Sequence, residues 1–143
     1  MRPLKEFDEF TKEGIVKKQS PDVSRSNSLV KESKKSYNFL MEIVKKIGIN
    51  DENSNNIIKN AYDIIMELIR AKMLTKGLNS SGLGAHEAEI AYLRILNFPE
   101  KDIQFANQLR YFRNGITYYG SSFDKEYAEK VIKFLQEMYK KLI

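Results

Sequence analysis

The amino-acid sequence predicts an all-α fold, an up-and-down bundle of about five helices. Apolar residues recur three or four positions apart along most of the chain, which is the period of a helix with one buried face. Glycine, proline and polar clusters separate these periodic stretches, and none of the stretches reads convincingly as a strand. At 143 residues, and without an internal repeat, the chain fits one bundle domain.

The composition excludes several classes of function. The chain contains no cysteine and one histidine, which argues against a disulfide scaffold, thiolate chemistry and a zinc site. Its first residues, MRPLKEFDEF, lack the apolar core of a signal peptide. No apolar run reaches the roughly 18 residues that a spanning helix needs. We therefore expect a cytoplasmic protein with no membrane partner, no metal and no cofactor.

The net charge of +5, from 24 basic and 19 acidic residues, is compatible with a nucleic-acid partner without requiring one. Part of the excess lies in residues 28–48, which contain five lysines and two glutamates. The ordinary interpretation of such a run is a solvated helix face.

Residues 1–20 carry a weak amphipathic pattern. It predicts a short helix over residues 4–13, in an N-terminal arm that docks on another surface. Pro21 disfavours a helix that continues through the residue before it, and Asp22 is a good N-cap for a new helix. The bundle domain is therefore predicted over residues 21–143.

Two long helices follow. The first is predicted over residues 23–47, with Gly48 as its stop and with an inward stripe of Val23, Val30, Tyr37, Leu40, Met41, Val44 and Ile47. The second is predicted over residues 54–76. Its apolar stripe is wider and contains Ile57, Ile58, Ala61, Tyr62, Ile64, Ile65, Leu68, Ile69, Met73 and Leu74. Such a width indicates a helix that is buried on more than one side, either at the centre of the bundle or in an oligomer contact.

A loop over residues 77–84 separates these helices from three more, over residues 85–96, from about Pro99 onward, and over residues 124–142. The segment 110–120, RYFRNGITYYG, also resembles a β-hairpin, because Asn-Gly between aromatic residues is a strong hairpin signal. We favour a helix there, since the helical period begins upstream at Ile103 and a lone hairpin would have no sheet to join.

The segment 110–120 is also the candidate site, since it holds two arginines, an asparagine and three tyrosines. Arg113 falls on an inward position of the predicted helix, where a guanidinium needs a partner. It either faces a dimer groove or pairs with an acidic residue such as Asp63 or Glu67. The tyrosines and the asparagine have ordinary interpretations as well. Tyr118 and Tyr119 could be core or interface aromatics rather than stacking platforms, and Asn114 could cap a helix end before Gly115.

Three stretches together resemble the HEPN family (higher eukaryote and prokaryote nucleotide-binding), small helical-bundle proteins of bacteria and archaea. They are residues 61–77 (AYDIIMELIRAKMLTKG), residues 86–93 (HEAEIAYL) and residues 110–120. The resemblance runs from about residue 21 to the end of the chain. It implies a helical bundle, a dimer built around the signature helices and, in active members, metal-independent cleavage of RNA. Many members are encoded beside a minimal nucleotidyltransferase, which in some pairs modifies a tyrosine near the signature.

The family signature is an arginine, often followed by asparagine, with a histidine a few residues later. Arg113 and Asn114 match its first half, but Tyr118, Tyr119 and Gly120 occupy the positions where the histidine would stand. Counting from the other arginine gives no histidine either. The single histidine of the chain, His86, lies on a different predicted helix, where a cap or an interface residue is the ordinary interpretation.

The missing histidine limits the chemistry that the segment can perform. Histidine suits the proton transfers of RNA cleavage, and arginine suits the phosphate. Tyrosine, with an ordinary pKa of about 10, is a poor general base at neutral pH. Since such groups contribute about 10²–10⁴-fold, the resemblance implies weak catalysis or none.

The sequence therefore predicts a HEPN-like homodimer that binds RNA or a nucleotide in a groove lined by Arg110, Arg113, Asn114, Tyr118 and Tyr119. One alternative is an interaction partner of a minimal nucleotidyltransferase in a toxin–antitoxin-type pair, with Tyr118 or Tyr119 as the docking or modified residue. The other alternative is a metal-independent endoribonuclease toxin, for which the candidate catalytic residues are Arg113, Asn114 and Tyr118, or a recruited His86.

Overall fold

A computed structural model, which describes residues 2–143, confirms an all-helical, bundle-like fold. Its elements are α1 (Phe7–Lys12), β1 (Val16–Lys18), α2 (Val23–Lys46), α3 (Ser54–Thr75), β2 (Leu78–Ser80), α4 (Ala85–Ile95), α5 (Glu100–Tyr119) and α6 (Lys125–Leu142). The predicted bundle helices correspond to α2 through α6, and the predicted N-terminal helix corresponds to α1. Across residues 2–143, no helix combines the length and the apolar character that crossing a membrane would require.

Helix α3 is the centre of the bundle. It packs against α2, α4, α5 and α6, and every residue of its predicted wide stripe is buried. Of the two explanations that its sequence pattern allowed, a central position within one chain accounts for this burial without an oligomer contact.

Helix α2 shows where the predicted inward stripe was wrong. Val23 and Ile47, at its two ends, are exposed. Leu40 is buried as predicted, and Tyr37, Met41 and Val44 pack against the core, but the other buried positions are Ser26 and Ser33, which the predicted stripe did not contain. These small serine side chains let the α2 and α3 backbones approach closely, and their hydroxyls form hydrogen bonds with residues of α3. Ser26 Oγ, for example, donates a hydrogen bond of 2.8 Å to the carbonyl oxygen of Ala71.

The prediction that the chain has no strand was also wrong, because β1 and β2 form a two-stranded antiparallel pair with Val16 opposite Ser80. The pairing continues where the Gln19 amide donates to the Gly77 carbonyl at 2.8 Å. Gly77 has a φ of +70°, and a Cβ there would collide with the Gln19 carbonyl oxygen. A close backbone approach therefore requires glycine at this position.

The N-terminal segment docks on α4, as its amphipathic pattern predicted. Arg94 Nη1 donates to the carbonyl oxygens of Leu4 at 3.1 Å and Lys5 at 2.8 Å. Phe7 packs edge-on against Tyr92, with ring centroids 5.0 Å apart. The apolar side chains of this segment join the main core, namely Leu4, Phe7, Phe10 and Val16.

Helix α5 continues through the Asn-Gly sequence to Tyr119, so the hairpin interpretation of residues 110–120 was wrong. The helix ends at Gly120, whose φ of +66° is the left-handed conformation typical of a glycine C-cap. Asn114 therefore lies inside the helix and does not cap it. Pro99 occupies the N-cap position rather than the first turn, and the predicted cap of α2 is confirmed, since Asp22 accepts from the Arg25 amide.

Candidate functional site

A cleft lies between the first turn of α4 and the outer face of the C-terminal half of α5. It consists of two adjoining cavities, one of about 440 Å³ beside the start of α4, called the inner cavity, and one of about 780 Å³ along the end of α5, called the outer cavity. The two cavities share the side chains of Glu87, Arg110, Asn114 and Tyr118 as walls. These two cavities together form the cleft.

The five predicted binding residues all line the cleft. Arg110, Asn114 and Tyr118 follow one another along a single face of α5, at the spacing of one helical turn. Arg113 lines the inner cavity only, and Tyr119 lines the outer cavity only. The helix, rather than the hairpin, is what brings these side chains to the same surface.

Arg113 is held in the inner cavity by two weak interactions. Its Nη2 lies 3.5 Å from Asp63 Oδ1, and its guanidinium carbon lies 5.6 Å from the centre of the Tyr62 ring. Asp63 is half exposed, so this ion pair is worth little. The Arg113 side chain is only 20% exposed. Its Nε is buried, yet it has no hydrogen-bond partner within residues 2–143. Of the two acidic partners that the sequence suggested, Asp63 is the one present.

Arg110 is oriented more firmly. Its Nε donates to Asn107 Oδ1 at 3.1 Å, and Asn107 is fully buried in α5. Its Nη1 lies 3.9 Å from Glu87 Oε1 across the cleft. This carboxylate is the acidic group in the wall of both cavities, so it offsets part of the positive charge that the arginines bring.

His86 lies in the same inner cavity as Arg113, a position that sequence reasoning had not favoured. Its Nδ1 lies 3.0 Å from Tyr62 Oη. Burial lowers the pKa of His86 below its ordinary value of 6.5; Glu89 opposes this change, and Arg70 and Arg113 reinforce it. The ring is therefore neutral at pH 7.

The placement of His86 depends on tertiary structure. The loop before α4 contains two glycines with positive φ, Gly82 and Gly84, and it brings the start of α4 against the end of α5. The only sequence signal for this was the position of His86 in a first helical turn after a glycine-rich loop. That signal does not say which helix the turn faces.

Tyr62 is a site residue that sequence reasoning treated only as core. It is 1% exposed, and burial raises the pKa of its hydroxyl well above the usual range. The nearby Arg110 and Arg113 oppose that increase without cancelling it. Tyr62 therefore carries its proton at neutral pH.

The outer cavity has exposed aromatic walls. Tyr118 is 69% exposed and Tyr119 is 85% exposed, so their interpretation as core aromatics is wrong within this chain. Tyr111, one of the residues that line the outer cavity, is also exposed and was not predicted as a site residue. It stands seven residues before Tyr118, a spacing of two helical turns that could have identified it.

The loop between α5 and α6 closes the far side of the outer cavity, and the side chain of Asn55 makes two hydrogen bonds to its backbone. Asn55 Nδ2 donates to the Ser121 carbonyl at 3.0 Å, and Asn55 Oδ1 accepts from the Phe123 amide at 3.0 Å. Ser121 and Phe123 both line the cavity. The wall of the cleft is thus fixed to the first turn of the central helix.

Comparison of the chain with protein-family models, with curated proteins and with solved structures returns no match.

Proposed function

We propose that this protein binds RNA or a nucleotide in the cleft, as a HEPN-like dimer with weak or no catalysis. The observation that carries the proposal is the state of Arg113. A mostly buried guanidinium with an unpartnered Nε lies beside a second arginine in an open cavity. Phosphate oxygens are the groups that such a forked donor binds best.

The charge of the cleft favours an anionic ligand. Arg2, Arg110 and Arg113 line one or both cavities, and Glu87 is the only acidic residue among the lining residues of the two. The first turn of α4 also faces the inner cavity, and a helix N-terminus carries partial positive charge.

The aromatic walls favour a ligand that contains bases. Tyr118 and Tyr119 lie beside the arginines, with most of their ring surface free of protein contacts. Base stacking on such rings contributes about 1–3 kcal/mol per base. A phosphate held by the arginines and an unpaired base stacked on a tyrosine would together occupy part of each cavity.

A dimer formed around α5 is consistent with this surface. The resemblance to HEPN proteins implies such a dimer, which would cover the exposed ring of Tyr111 on α5 and leave Tyr118 and Tyr119 free to stack on a base.

Substitution of the arginines tests the proposal. We expect Arg113→Ala and Arg110→Ala each to weaken the binding of single-stranded RNA by about 10- to 100-fold at low salt, because hydrogen bonds to charged groups contribute about 1.5–3 kcal/mol. Arg113→Lys keeps the charge but loses the forked donor, so it should bind at an intermediate level. Fluorescence anisotropy with a labelled oligonucleotide gives the affinities, and circular dichroism confirms that each variant is folded.

Two matched controls separate the cleft from general basic charge. Arg25→Ala removes an exposed arginine of α2 that lines neither cavity, and Lys34→Ala removes charge from the lysine-rich face of the same helix. Both variants should bind RNA as the wild type does. If Arg113→Ala bound RNA as tightly as the wild type, the cleft would not be the binding site.

The exposure of Tyr118 and Tyr119 supports a second candidate function, as the partner of a minimal nucleotidyltransferase. Their hydroxyls lie at the surface, where a partner enzyme could reach them. Incubation with such an enzyme and ATP should add the mass of one nucleotidyl group, and the combined Tyr118→Phe and Tyr119→Phe substitutions should abolish the addition. Tyr111→Phe, at another exposed tyrosine of the cleft, should leave it intact. The absence of both a complex and a mass change would count against this function.

A further inference from the structure

The hydrogen-bonded pair of Tyr62 and His86 lies at the inner end of the cleft, and the binding mode proposed above does not use it. Tyr62 Oη and His86 Nδ1 are 3.0 Å apart, and the His86 ring forms part of the wall beside Arg113. Tyr62 projects from the central helix α3, and its position is fixed by nearly complete burial. The pair therefore joins the core of the bundle to the surface of the cleft.

Burial of Tyr62 determines which group donates the hydrogen bond. Among residues 2–143, the Tyr62 hydroxyl has His86 Nδ1 as its one hydrogen-bond partner. If His86 were the donor, the hydroxyl hydrogen would be buried without an acceptor, which is unfavourable. The buried phenol also keeps its proton, because its pKa is raised. Tyr62 is therefore the donor, and His86 Nδ1 is the acceptor.

The protonation state of the ring follows from this geometry. A ring whose Nδ1 accepts a hydrogen bond carries its single hydrogen on Nε2 when it is neutral. The lowered pKa of His86 keeps it neutral at pH 7. His86 therefore presents an N–H group, and no lone pair, at its second nitrogen.

The charged groups around His86 leave that N–H without an acceptor. From α4, Glu89 is engaged by Arg70 and Ser80, and Glu87 faces Arg110. From α3 and α5, Asp63 faces Arg113. No hydrogen bond to His86 Nε2 occurs in the part of the chain that the structure describes, although the ring lines the inner cavity.

We infer that Tyr62 is a positioning residue that holds His86 in its Nε2–H tautomer, and that His86 Nε2 donates a hydrogen bond to the phosphate oxygen of the ligand beside Arg113. The tautomer is a property of the free protein, while the donation to phosphate rests on the proposed function. In this state His86 cannot accept a proton from a ligand in the cleft, so it serves recognition and not general-base chemistry.

Nuclear magnetic resonance can read the tautomer directly, because His86 is the only histidine in the chain. In the ¹⁵N-labelled full chain at neutral pH, long-range ¹H–¹⁵N correlation should show a pyridine-type Nδ1 and a pyrrole-type Nε2. In Tyr62→Phe, which keeps the ring and removes the hydroxyl, the two nitrogen signals should move toward the average of two tautomers. A wild-type protein with the hydrogen on Nδ1, or with an even mixture, would overturn the inference.

Titration with inorganic phosphate, and then with adenosine 5′-monophosphate, tests the donation. The Nε2 and Hε2 signals should shift on saturation, and His86→Ala should weaken binding by about 2- to 10-fold, as expected for one hydrogen bond from a neutral group. His86→Gln, which can place an amide N–H near the same point, should restore part of the affinity.

The outcomes of this titration separate the two proposals. Phosphate that shifts the side-chain signals of Arg110 and Arg113 but leaves His86 Nε2 unchanged would overturn the donation and leave the proposed function in place. Phosphate and nucleotide that shift none of these signals would overturn both the donation and the proposed function. A wild-type affinity in His86→Ala would also overturn the donation.

Discussion

Replacing Arg70 with alanine is expected to lower the free energy of unfolding by about 3 kcal/mol, because it leaves the buried carboxylate of Glu89 without its charged partner. Arg70 donates twice to Glu89, from Nε at 2.8 Å and from Nη2 at 3.0 Å. Glu89 is 1% exposed, whereas Arg70 keeps some contact with solvent, so water can relieve part of the loss. Urea unfolding followed by circular dichroism measures the change.

A double variant distinguishes a broken ion pair from lost packing. Arg70→Met combined with Glu89→Leu removes both charges and keeps apolar bulk, so it should unfold much closer to the wild type than Arg70→Ala does. Lys46→Ala, which breaks an exposed pair with Glu42 on α2, should change the stability by less than about 0.5 kcal/mol. A wild-type urea midpoint for Arg70→Ala would show that the buried pair contributes nothing.

This ion pair also bears on the cleft. Glu89 follows His86 by three residues in α4, and it accepts a further hydrogen bond of 2.9 Å from Ser80 Oγ in β2. The Glu89 carboxylate on α4 thus accepts hydrogen bonds from side chains of both α3 and β2. We therefore expect Arg70→Ala to weaken ligand binding in the cleft as well as to destabilise the fold.

Leu68→Ala is expected to destabilise the protein by about 2–5 kcal/mol, since it opens a cavity at the centre of the bundle. Leu68 is 1% exposed and lies on α3, which packs against four other helices. Leu83→Ala is the matched control, because Leu83 is 98% exposed and should change the stability by no more than about 0.5 kcal/mol. Equal urea midpoints for the two variants would contradict the central position of α3.

The sequence predicted those parts of the fold that periodicity determines. The wide apolar stripe of α3 correctly predicted a helix that is buried on more than one side, although it left a central position and an oligomer contact as alternatives. The period that begins at Ile103 correctly favoured a helix over a hairpin at Asn114 and Gly115. Both predictions depend on many apolar residues that share the helical period. The single Asn-Gly turn signal therefore did not outweigh them.

Features that depend on tertiary hydrogen bonds could not be predicted in this way. The buried face of α2 is marked by Ser26 and Ser33, and a serine gives a buried-face signal only when its partner on α3 is known. The candidate site likewise combines residues that the period of one helix places and residues that only tertiary packing places. The proximity of Arg110 and Arg113 could be predicted because both lie on one helix. His86 and Tyr62 come close to them only through the packing of α3 and α4 against α5.

The contact between Arg94 and the N-terminal segment has a consequence for synthesis of the chain. Arg94 binds the Leu4 carbonyl across 90 residues of sequence, so this segment is translated long before the helix on which it docks. Until α4 has left the ribosome, Phe7 and Phe10 have no partner surface to cover them. The nascent chain therefore exposes an apolar patch early, and a chaperone that acts during translation would find its binding site there.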